Sequence, residues 1–521
     1  MNIVITMAGH SRRFNEAGYR GPKGLLTVGN KPMIEHVINM FDLESCKYFI
    51  VVNNQQIENT PGLEDYLLNL APRVQITIVD SHEFGPVYSS LQIKGIKDQD
   101  EVIVTYCDLI VEWNYPLFLR HVRGNDGALV SFKGFHPASF GDTYYAYMRV
   151  DEQNRMLELR EKLSFTDKRE DEHASTGIYY YKNWGIFRSY GQAYLEKGTN
   201  ELPEVYASLL YNDMVDDGLE VIVHEANKFI CLGTPSDLEQ YQFWWKYFVM
   251  DHKGTKAVED HFIKKTALIP MAGAGSRFTK YGYRVAKPLI TVQDMPMVVL
   301  ATKSLPYQTN WIFLARQDDI DRHPIEKTLR DIYPKCVVKG INKTTSGQAT
   351  TCLLAQEHLD DNAELTIASC DYETIYDPKA WQKVLDDPTI DGAIWTVRLR
   401  SLPVKDANAF AYCRVGDDGQ TITEVVEKET ISNSPNLDPL VVGTFWYRRG
   451  SDFKFGAKTL IENKTTVNGE YYIGTSINNL ITKGSRFVIF DVKQWISFGD
   501  PFELKIMEYW HDYFERNGKV I

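Results

Sequence analysis

Short apolar, β-branched runs recur along the chain and alternate with longer segments of helical character. Buried strands produce such runs, particularly where the run ends in turn-forming residues. The predicted strands are residues 2–7, 48–53, 75–79, 101–105, 266–271, 311–314, 336–338 and 365–368. The predicted helices are residues 32–41, 236–250, 296–305 and 502–515. Strands that alternate with helices predict an α/β fold with a mainly parallel, mixed sheet that binds ligands at the carboxyl ends of its strands.

The whole pattern occurs twice. Equivalent pairs are Lys23 and Lys287, Asp108 and Asp371, Glu161 and Glu427, and Gly177 and Gly443. Their spacing is nearly constant, since 287 − 23 = 264, 371 − 108 = 263 and 427 − 161 = 266. A constant offset over most of a domain predicts a tandem duplication with small insertions and deletions. We therefore expect one domain at 1–250, a polar linker at 251–262 and a second domain at 263–521.

Composition excludes several classes of protein. The net charge of −12 argues against a nucleic-acid partner, because binding a phosphate backbone requires a basic face. No apolar run is long enough to span a membrane, and residues 1–5 are typical of a first strand and not of a signal peptide. The seven cysteines are scattered and form no CxxC, which predicts neither disulfides nor zinc and favours a reducing cytoplasm. The composition does not decide whether the chain forms a homo-oligomer.

A glycine-rich loop with a lysine behind it opens each copy. In the second copy, Gly273 and Gly275 precede Arg277, and Lys287 follows. Glycines let the backbone approach phosphates, and the two cations add positive charge there. The GxxxxGK[ST] loop is absent, and Phe278 stands where a dinucleotide fingerprint needs a third glycine. One such loop alone is more often a simple tight turn, but its repetition with the lysine behind it favours a triphosphate site.

These residues resemble a known family. The pattern G-x-G-[ST]-R-[FML] followed by K-P-[LM] is similar to the signature of sugar-phosphate nucleotidyltransferases, and the resemblance covers both copies nearly end to end. It implies two tandem domains of the glycosyltransferase-A-like fold and a reaction that joins an NTP to a sugar or polyol phosphate with release of pyrophosphate. The Gly-Tyr-Arg-x-x-Lys segment resembles the cytidylyltransferase branch found in capsule and surface-polysaccharide clusters, which makes CTP the first guess.

The resemblance also implies roles for individual residues. The residues implied to bind the nucleotide are Ala8, Gly9, Gly85, Ala272, Gly273, Gly275, Gly347 and Gln348. Catalysis falls on Arg13, Lys23, Asp108, Arg277, Lys287 and Asp371, of which Asp108 and Asp371 would also hold Mg²⁺. The sugar phosphate falls to Glu161, Lys162, Gly177, Glu427, Lys428 and Gly443. Ordinary alternatives are a cap or turn role for the aspartates, a helix start for Gln348 and exposed ion pairs for the Glu-Lys pairs.

The sequence departs from the family in informative places. Cys231 and Ser497 stand where many members have a second metal-binding aspartate. Copy one has Ser11, Arg12, Gly24 and Pro86 where copy two has Gly275, Ser276, Pro288 and Gln348. A side chain at Ser11 would crowd a phosphate, and proline lacks an amide donor. Copy two is therefore the stronger catalytic candidate, and copy one is active with another base or only binds.

The predicted chemistry is an in-line displacement at the α-phosphorus, which positioning and charge neutralisation can catalyse without a covalent intermediate. A glycosyltransferase of the same fold is one alternative, although Cys-Asp-Leu and Cys-Asp-Tyr stand where that class usually has Asp-x-Asp. A second alternative is a non-catalytic nucleotide sensor or assembly surface in one or both copies.

Overall fold

The computed structural model describes residues 1–137, 145–197, 204–250, 264–399 and 406–517. By its internal contacts the chain divides into two compact units, which we call unit 1 (Met1–Lys246) and unit 2 (Tyr247–Ile521). The predicted linker at 251–262 lies outside the described residues. None of the helices in the described part of the chain combines the length and the apolar character needed to cross a bilayer.

Unit 1 alternates strands and helices along most of its length. Its strands are β1 (Asn2–Thr6), β2 (Thr27–Val28), β3 (Lys31–Pro32), β4 (Lys47–Asn53), β5 (Val74–Val79), β6 (Val102–Tyr106), β7 (Leu109–Glu112), β8 (Gly127–Phe132), β9 (Ala146–Val150), β10 (Met156–Glu161), β11 (His173–Tyr181), β12 (Val221–Glu225) and β13 (Lys228–Cys231). The helices that begin in unit 1 are α1 (Arg12–Glu16), α2 (Met33–Ile38), α3 (Asn54–Asn59), α4 (Leu63–Leu68), α5 (Pro86–Leu91), α6 (Tyr115–Val122), α7 (Trp184–Lys197), α8 (Leu210–Asp216) and α9 (Pro235–Phe248).

Unit 2 repeats this series. Its strands are β14 (Lys265–Pro270), β15 (Thr291–Val292), β16 (Met295–Pro296), β17 (Asn310–Arg316), β18 (Val337–Ile341), β19 (Glu364–Ile367), β20 (Tyr372–Ile375), β21 (Gly392–Val397), β22 (Ala411–Val415), β23 (Ile422–Glu427), β24 (Leu440–Tyr447), β25 (Phe487–Asp491) and β26 (Gln494–Ser497). Its helices are α10 (Ser276–Lys280), α11 (Met297–Lys303), α12 (Gln317–Arg322), α13 (Ile325–Ile332), α14 (Gln348–Leu353), α15 (Pro378–Asp386), α16 (Gly450–Glu462), α17 (Ile473–Thr482) and α18 (Pro501–Asn517).

The two main sheets have the same topology. In unit 1 the order is β5–β4–β1–β6–β11–β8–β12, and β9 with β10 forms a hairpin that branches from β11. In unit 2 the order is β18–β17–β14–β19–β24–β21–β25, with β22 and β23 as the branch from β24. The first four strands of each path are parallel, and the later strands are mixed. The predicted α/β fold with two mixed sheets is confirmed.

Apolar runs form the central strands because both faces of each sheet are buried. Along β1, Ile3 and Ile5 join the apolar cluster on one face, whereas Val4 joins the cluster on the other. In β14, Leu268 and Ile269 divide in the same way. Side chains alternate across a strand, so burial on both faces requires apolar residues in succession. This burial aligns the carboxyl ends of the parallel strands at one edge of each sheet.

The predicted helices at 32–41 and 296–305 are shorter in the structure. Pro32 and Pro296 each belong to a two-stranded ribbon, and the helix begins at the next residue. The ring of each proline fixes φ near −60°, and its ψ is extended, at 146° for Pro32 and 139° for Pro296, so the helix begins only at the next residue. The closing helices α9 and α18 lie where they were predicted and begin at Pro235 and Pro501, because proline suits a first helical position.

Candidate active site

The glycine loops follow the first strand of each unit. A Cβ built on Gly9 or Gly273 would meet no heavy atom within 4 Å, and neither residue has a left-handed φ. Ser11 and Gly275, in contrast, both adopt the left-handed region, with φ of 54° and 59°. The fold therefore requires an unusual backbone at Ser11 and Gly275 but gives no packing reason for glycine at Gly9 and Gly273. The open space beside those two glycines suits the close approach of a ligand.

A lysine and an aspartate meet at the carboxyl ends of the central strands. Lys23 Nζ pairs with Asp108 Oδ2 and donates a hydrogen bond to the carbonyl oxygen of Gly233 at 3.1 Å. In unit 2, Lys287 Nζ lies 2.6 Å from Asp371 Oδ2. The two lysine side chains are only 14% and 17% exposed. Both aspartates lie between strands, so the alternative of a helix cap does not apply.

In unit 2 a serine supports this pair. Ser369 Oγ donates a hydrogen bond to Asp371 Oδ1 at 2.5 Å. Burial raises the pKa of Asp371, but Lys287 and Ser369 outweigh burial and hold the pKa below its ordinary value. Burial lowers the pKa of Lys287, and Asp371 outweighs this effect, so the pKa lies above its ordinary value. Both groups are therefore charged at neutral pH.

A cavity of about 610 Å³ brings together most of the predicted residues of the N-terminal half of unit 1. The predicted residues in its lining are Ala8, Gly9, Arg13, Lys23, Gly85 and Asp108. A cavity of a few hundred Å³ is typical of small-molecule sites. In unit 2 a cleft of about 420 Å³ adjoins the equivalent loop and is lined in part by Gly273, Gly275 and Lys287.

Gly85 and Gly347 lie where the segment before α5 or α14 packs against a distant backbone segment, at Val205 in unit 1 and at Tyr471 in unit 2. Their φ values are 88° and 125°, and a Cβ would lie 2.6 Å from the backbone nitrogen of Val205 or 2.5 Å from that of Tyr471. Val87 N donates to the Val205 carbonyl at 3.3 Å. These glycines therefore have a packing reason, which is the close approach of two backbone segments.

The remaining predicted nucleotide residues take ordinary places. Gln348 is the first residue of α14, as its helix-start alternative proposed. The carbonyl of Ala8 accepts a hydrogen bond from Asn53 at 2.7 Å, and Ala272 is half-buried beside the unit 2 loop. Arg277 is exposed, and its Nη1 lies 3.2 Å from Asp500 Oδ2. The Arg277 side chain is 66% exposed, so a ligand phosphate can compete with Asp500 for the guanidinium.

The lysine of each Glu-Lys pair has a strained backbone. Lys162 and Lys428 have φ values of 56° and 58°, in the left-handed region that side chains rarely adopt. Their ammonium groups lie 5.2 Å and 5.7 Å from the ring centroids of Tyr206 and Tyr472. Strain of this kind costs about 1–3 kcal/mol and clusters at functional sites. Its occurrence at the same position of both units indicates a shared constraint on the backbone.

The glutamate of each pair points inward at the end of β10 or β23. Ser208 Oγ donates to Glu161 Oε2 at 2.7 Å. Burial raises the pKa of Glu161, and the hydrogen bond from Ser208 opposes the rise. Burial raises the pKa of Glu427 to about 7, opposed only by the charge of Lys428. Glu427 is therefore half-protonated near neutral pH.

Gly177 and Gly443 lie beneath aromatic rings in this region. Their φ values are 94° and 97°. A Cβ on Gly177 would lie 2.8 Å from the ring of Tyr106, and one on Gly443 would lie 3.3 Å from the ring of Tyr372. Tyr106 and Tyr206 both line the unit 1 cavity. The residues predicted for the sugar phosphate thus adjoin that cavity through these two tyrosines.

A divalent cation was expected at Asp108 and Asp371. No group of three or more His, Cys, Asp or Glu side chains forms a metal site among the described residues. The donor set nevertheless fits Mg²⁺, which binds through one or two carboxylates together with substrate phosphates. Asp371 Oδ2 faces Gly499, where a Cβ would approach it to 2.8 Å, so the glycine keeps space beside the carboxylate. The ammonium of Lys287 already places one cation there.

Several residues that the sequence did not single out lie at these sites. Cys231 Sγ donates to Asp237 Oδ2 at 3.5 Å, and Ser497 Oγ donates to Glu503 Oε2 at 2.7 Å. A carboxylate from the closing helix therefore stands behind each of the two positions where a second metal-binding aspartate was missing. Tyr206 and Tyr472 could have been found, since the repeat retains both at an offset of 472 − 206 = 266. All seven cysteines are free thiols.

Comparison with known proteins gives a partial match. The MobA-like NTP transferase domain family matches residues 3–165. The bifunctional protein GlmU of Methanocaldococcus jannaschii is 24% identical over 252 residues, which cover 46% of this chain and 56% of the relative. The chain thus spans about half the length of that curated relative.

Solved structures also align with about half of the chain. A nucleoside-diphosphate-sugar pyrophosphorylase from Vibrio cholerae RC9 aligns with a TM-score of 0.39 and 21% identity, over 46% of this chain and 98% of that chain. The inositol-1-phosphate CTP transferase from T. maritima aligns with a TM-score of 0.38 and 14% identity, over 48% and 97%. A UDP-glucose pyrophosphorylase complexed with UDP-glucose aligns with a TM-score of 0.38 and 16% identity, over 49% and 100%. The family match at residues 3–165 spans the segment that carries Lys23, Asp108 and Glu161.

Proposed function

We propose that the protein is a sugar-phosphate nucleotidyltransferase that joins an NTP to a sugar or polyol phosphate and releases pyrophosphate. The observation that carries this proposal is the buried Lys–Asp pair beside a glycine that the fold itself does not require, present in both units. The match of residues 3–165 to NTP transferase domains supports the same reaction class.

The nucleotide side is proposed to bind the triphosphate at the glycine loop. Gly273 leaves room for phosphate oxygens, and Lys287 with Arg277 supplies positive charge next to them. Gly9, Lys23 and Arg13 take the same roles in unit 1. A buried lysine beside a carboxylate is already oriented, so little reorganisation is needed when charge develops on the phosphates.

Mg²⁺ would be held by Asp371 in unit 2 and by Asp108 in unit 1. When bound, it would supply positive charge that reduces the repulsion between the two anionic substrates. Lys287 and Lys23 would exchange the carboxylate for a phosphate oxygen as the substrates enter. Glu427 with Lys428, and Glu161 with Lys162, would hold the hydroxyls and the phosphate of the acceptor.

The reaction needs no covalent enzyme intermediate. A phosphate oxygen of the acceptor forms a bond to the α-phosphorus of the NTP. The bond from the α-phosphorus to the oxygen that bridges to the β-phosphate breaks, and pyrophosphate leaves with that electron pair. The chain contributes positioning and charge neutralisation, which dominate catalysis in phosphoryl chemistry. By resemblance, CTP is the first nucleotide to test, and the product would be an activated precursor of surface polysaccharide made in the cytoplasm.

Pyrophosphate release from a panel of NTPs and acceptor phosphates tests this proposal on the full chain. Asp371→Asn should lower the turnover that depends on unit 2 by about 10²–10³-fold, because the carboxylate that would hold Mg²⁺ and that orients Lys287 is lost. Asp108→Asn should do the same for unit 1. Asp417→Asn, an exposed aspartate of unit 2, is the matched control and should leave turnover unchanged.

Two outcomes would change the assignment. Wild-type turnover in both Asp371→Asn and Lys287→Ala would remove unit 2 as the main catalytic site. If Asp108→Asn left all turnover intact but abolished nucleotide binding in calorimetry, unit 1 would be a nucleotide sensor.

A further inference from the structure

Two side-chain amides of unit 1 are hydrogen-bonded to the backbone of the glycine loop. Asn53, which is 2% exposed, donates from Nδ2 to the carbonyl oxygen of Ala8 at 2.7 Å. Gln56 Nε2 donates to the carbonyl oxygens of Met7 at 2.9 Å and of Gly9 at 3.3 Å. The loop residues line the unit 1 cavity, whereas the two amide side chains do not. Three successive carbonyls of the loop are therefore held on the side away from the cavity.

The helix cap that the same two residues form does not account for their amide groups. Asn53 Oδ1 accepts from the backbone nitrogen of Gln56 at 2.8 Å, and Gln56 Oε1 accepts from that of Asn53 at 3.0 Å. This capping box of α3 uses only the oxygen atoms of the side chains, so aspartate and glutamate would form it equally well. Only an amide also has hydrogens to donate. The loop carbonyls, and not the helix, therefore explain why both residues are amides.

The held carbonyls set the direction of the backbone N–H groups of the loop. In a trans peptide, the N–H of one residue points opposite to the carbonyl of the residue before it. Because the three carbonyls point away from the cavity, the N–H groups that follow them, of Ala8, Gly9 and His10, point toward it. Among the described residues, no backbone acceptor is found for these N–H groups. Successive N–H groups that face one space form a concavity that binds anions.

Unit 2 lacks this support because both amides are replaced there. The equivalent residues are Arg316 and Asp319, since 316 − 53 = 263 and 319 − 56 = 263. The guanidinium of Arg316 lies 3.6 Å from the carboxylate of Asp318 and 4.0 Å from that of Asp319. An ionised carboxylate has no hydrogen to donate to a carbonyl. The loop of unit 2 is therefore not held by the device that holds the loop of unit 1.

We propose that Asn53 and Gln56 are positioning residues, which hold the loop of unit 1 with its N–H groups directed at the phosphates of the nucleotide. This inference rests on the proposed nucleotide-binding role of the loop. The loop is ordered when unit 1 folds, so the binding of a triphosphate does not have to order it, and a pre-organised site binds more tightly. In unit 2 the same loop binds without this support.

Inorganic triphosphate is the probe, because it carries the charge of a nucleotide and requires no choice of base. Lys287→Ala weakens the unit 2 site, so calorimetric titration of that full-length variant measures unit 1. In this background, Gln56→Met removes the donor without adding charge and should raise the dissociation constant by about tenfold. Gln55→Met, on the adjacent exposed residue, is the matched control and should change it by less than about twofold. Equal constants for the two variants, or no binding of triphosphate to the background chain, would overturn the proposal.

Gln56→Glu separates positioning of the loop from capping of the helix. Glutamate keeps the oxygen that accepts from the Asn53 nitrogen, so the cap is retained, but it has no hydrogen for the loop carbonyls. Its dissociation constant should therefore remain about tenfold above that of Gln55→Glu, which adds the same charge one residue away. Recovery of the affinity of Gln55→Glu would show that only the cap matters and would overturn the proposal.

The reciprocal exchange tests the same idea in unit 2. In a Lys23→Ala background, Arg316→Asn combined with Asp319→Gln introduces both amides and leaves the net charge unchanged. This double variant should lower the dissociation constant for triphosphate by about threefold. Arg316→Ala combined with Asp319→Ala is the matched control, because it removes the same charges and supplies no amide. An equal gain in the two double variants would contradict the proposal.

Turnover gives a further readout and keeps the two proposals distinguishable. If no NTP yields pyrophosphate with any acceptor phosphate, the nucleotidyltransferase proposal fails, and the triphosphate titrations still decide the role of Asn53 and Gln56. Where turnover is found, Gln56→Met in the Asp371→Asn chain should raise the KM for the NTP by about tenfold and change kcat by less than about threefold. A lower kcat with an unchanged KM would contradict the proposed role in binding.

Discussion

Residues 82–89 of unit 1 and 344–351 of unit 2 occupy equivalent places, since 344 − 82 = 262, but have different chemistry. In unit 1 the ring of His82 stacks with Phe84 at 5.8 Å and contacts Tyr88 edge-on at 4.6 Å. Threonine or serine stands at each of these three positions in unit 2. Thr345 and Thr351 share a hydrogen bond of 2.5 Å there. The shared backbone junction at Gly85 and Gly347 therefore presents rings in one unit and hydroxyls in the other.

This difference shows which groups of the candidate site are alike in the two units and which are not. The Lys–Asp pair, the strained lysine and the junction glycine are retained in both units, and they are the groups that would handle phosphates. The groups that would contact a base or an acceptor diverge. Sites built on hydrogen bonds reject poor substrates strongly, whereas aromatic stacking tolerates many bases. We therefore expect unit 2 to be the more selective toward the nucleotide.

The largest effect should come from substitution of the junction glycines. Gly347→Ala combines a left-handed φ of 125° with a Cβ only 2.5 Å from the Tyr471 nitrogen. We expect the free energy of unfolding of unit 2 to fall by about 2–5 kcal/mol in urea titrations, from backbone strain and overpacking together. Gly85→Ala should act in the same way on unit 1.

Gly273→Ala is the control for this prediction. It should change the free energy of unfolding by less than about 0.5 kcal/mol, because its Cβ meets nothing. It should nevertheless weaken nucleotide binding measured by calorimetry. Equal destabilisation by Gly273→Ala and Gly347→Ala would break the distinction between a glycine kept for packing and one kept for a ligand.

Acid should affect the units unequally. Burial lowers the pKa of His173 and of His224 to about 4 and that of His136 to about 3. A histidine with a lowered pKa contributes its stability in full above its unfolded value of about 6.5 and loses it as the pH falls toward the folded value. Pro439 and Phe490 stand at the positions of His173 and His224 in unit 2.

Two buried carboxyl groups of unit 2 change its stability with pH in the opposite direction. Burial raises the pKa of Glu373 and of Glu427 to about 7, so their cost to unit 2 fades as the pH falls from about 7 toward 4.5. Hydrogen exchange can be measured on peptides from each unit as the pH is lowered from about 7.5 to about 5, a range that covers these titrations. We expect the peptides of unit 1 to lose protection first. Loss of protection in unit 2 first would contradict the comparison.

The smallest effect should come from the left-handed loop residue. Ser11→Gly relieves a left-handed side chain at a gain of about 1–2 kcal/mol but adds chain entropy worth about 0.5–1 kcal/mol. We expect a net gain of about 0.5 kcal/mol for unit 1, measured as a higher urea midpoint. The reverse change, Gly275→Ser, should lower the stability of unit 2 by more, since its Cβ would lie 3.3 Å from that of Lys287. A stabilising Gly275→Ser would show that the two loops are not equivalent.

Much of the architecture could be predicted from the sequence. The central strands lie where apolar runs place them, because a strand buried on both faces needs apolar residues in succession. The starts of α2 and α11 were wrong by one residue, since Pro32 and Pro296 belong to short ribbons whose partners are not visible in local periodicity. The roles of Gly85 and Gly347 were incomplete for the same reason: the backbone of Val205 or Tyr471 that excludes a side chain there comes from more than a hundred residues away.

The sequence by itself determined the α/β class, and it predicted the repeat and the charged residues of the candidate site, because these depend on local pattern and on register between the two copies. Only the tertiary structure decided that Lys287 and Asp371, 84 residues apart in the chain, form one buried pair. It also decided that Ser208 donates a hydrogen bond to Glu161, whereas Gly474 lies directly against the Glu427 carboxylate. Such contacts depend on the order in which distant strands assemble, and that order brings together residues whose separation along the chain gives no sign that they meet.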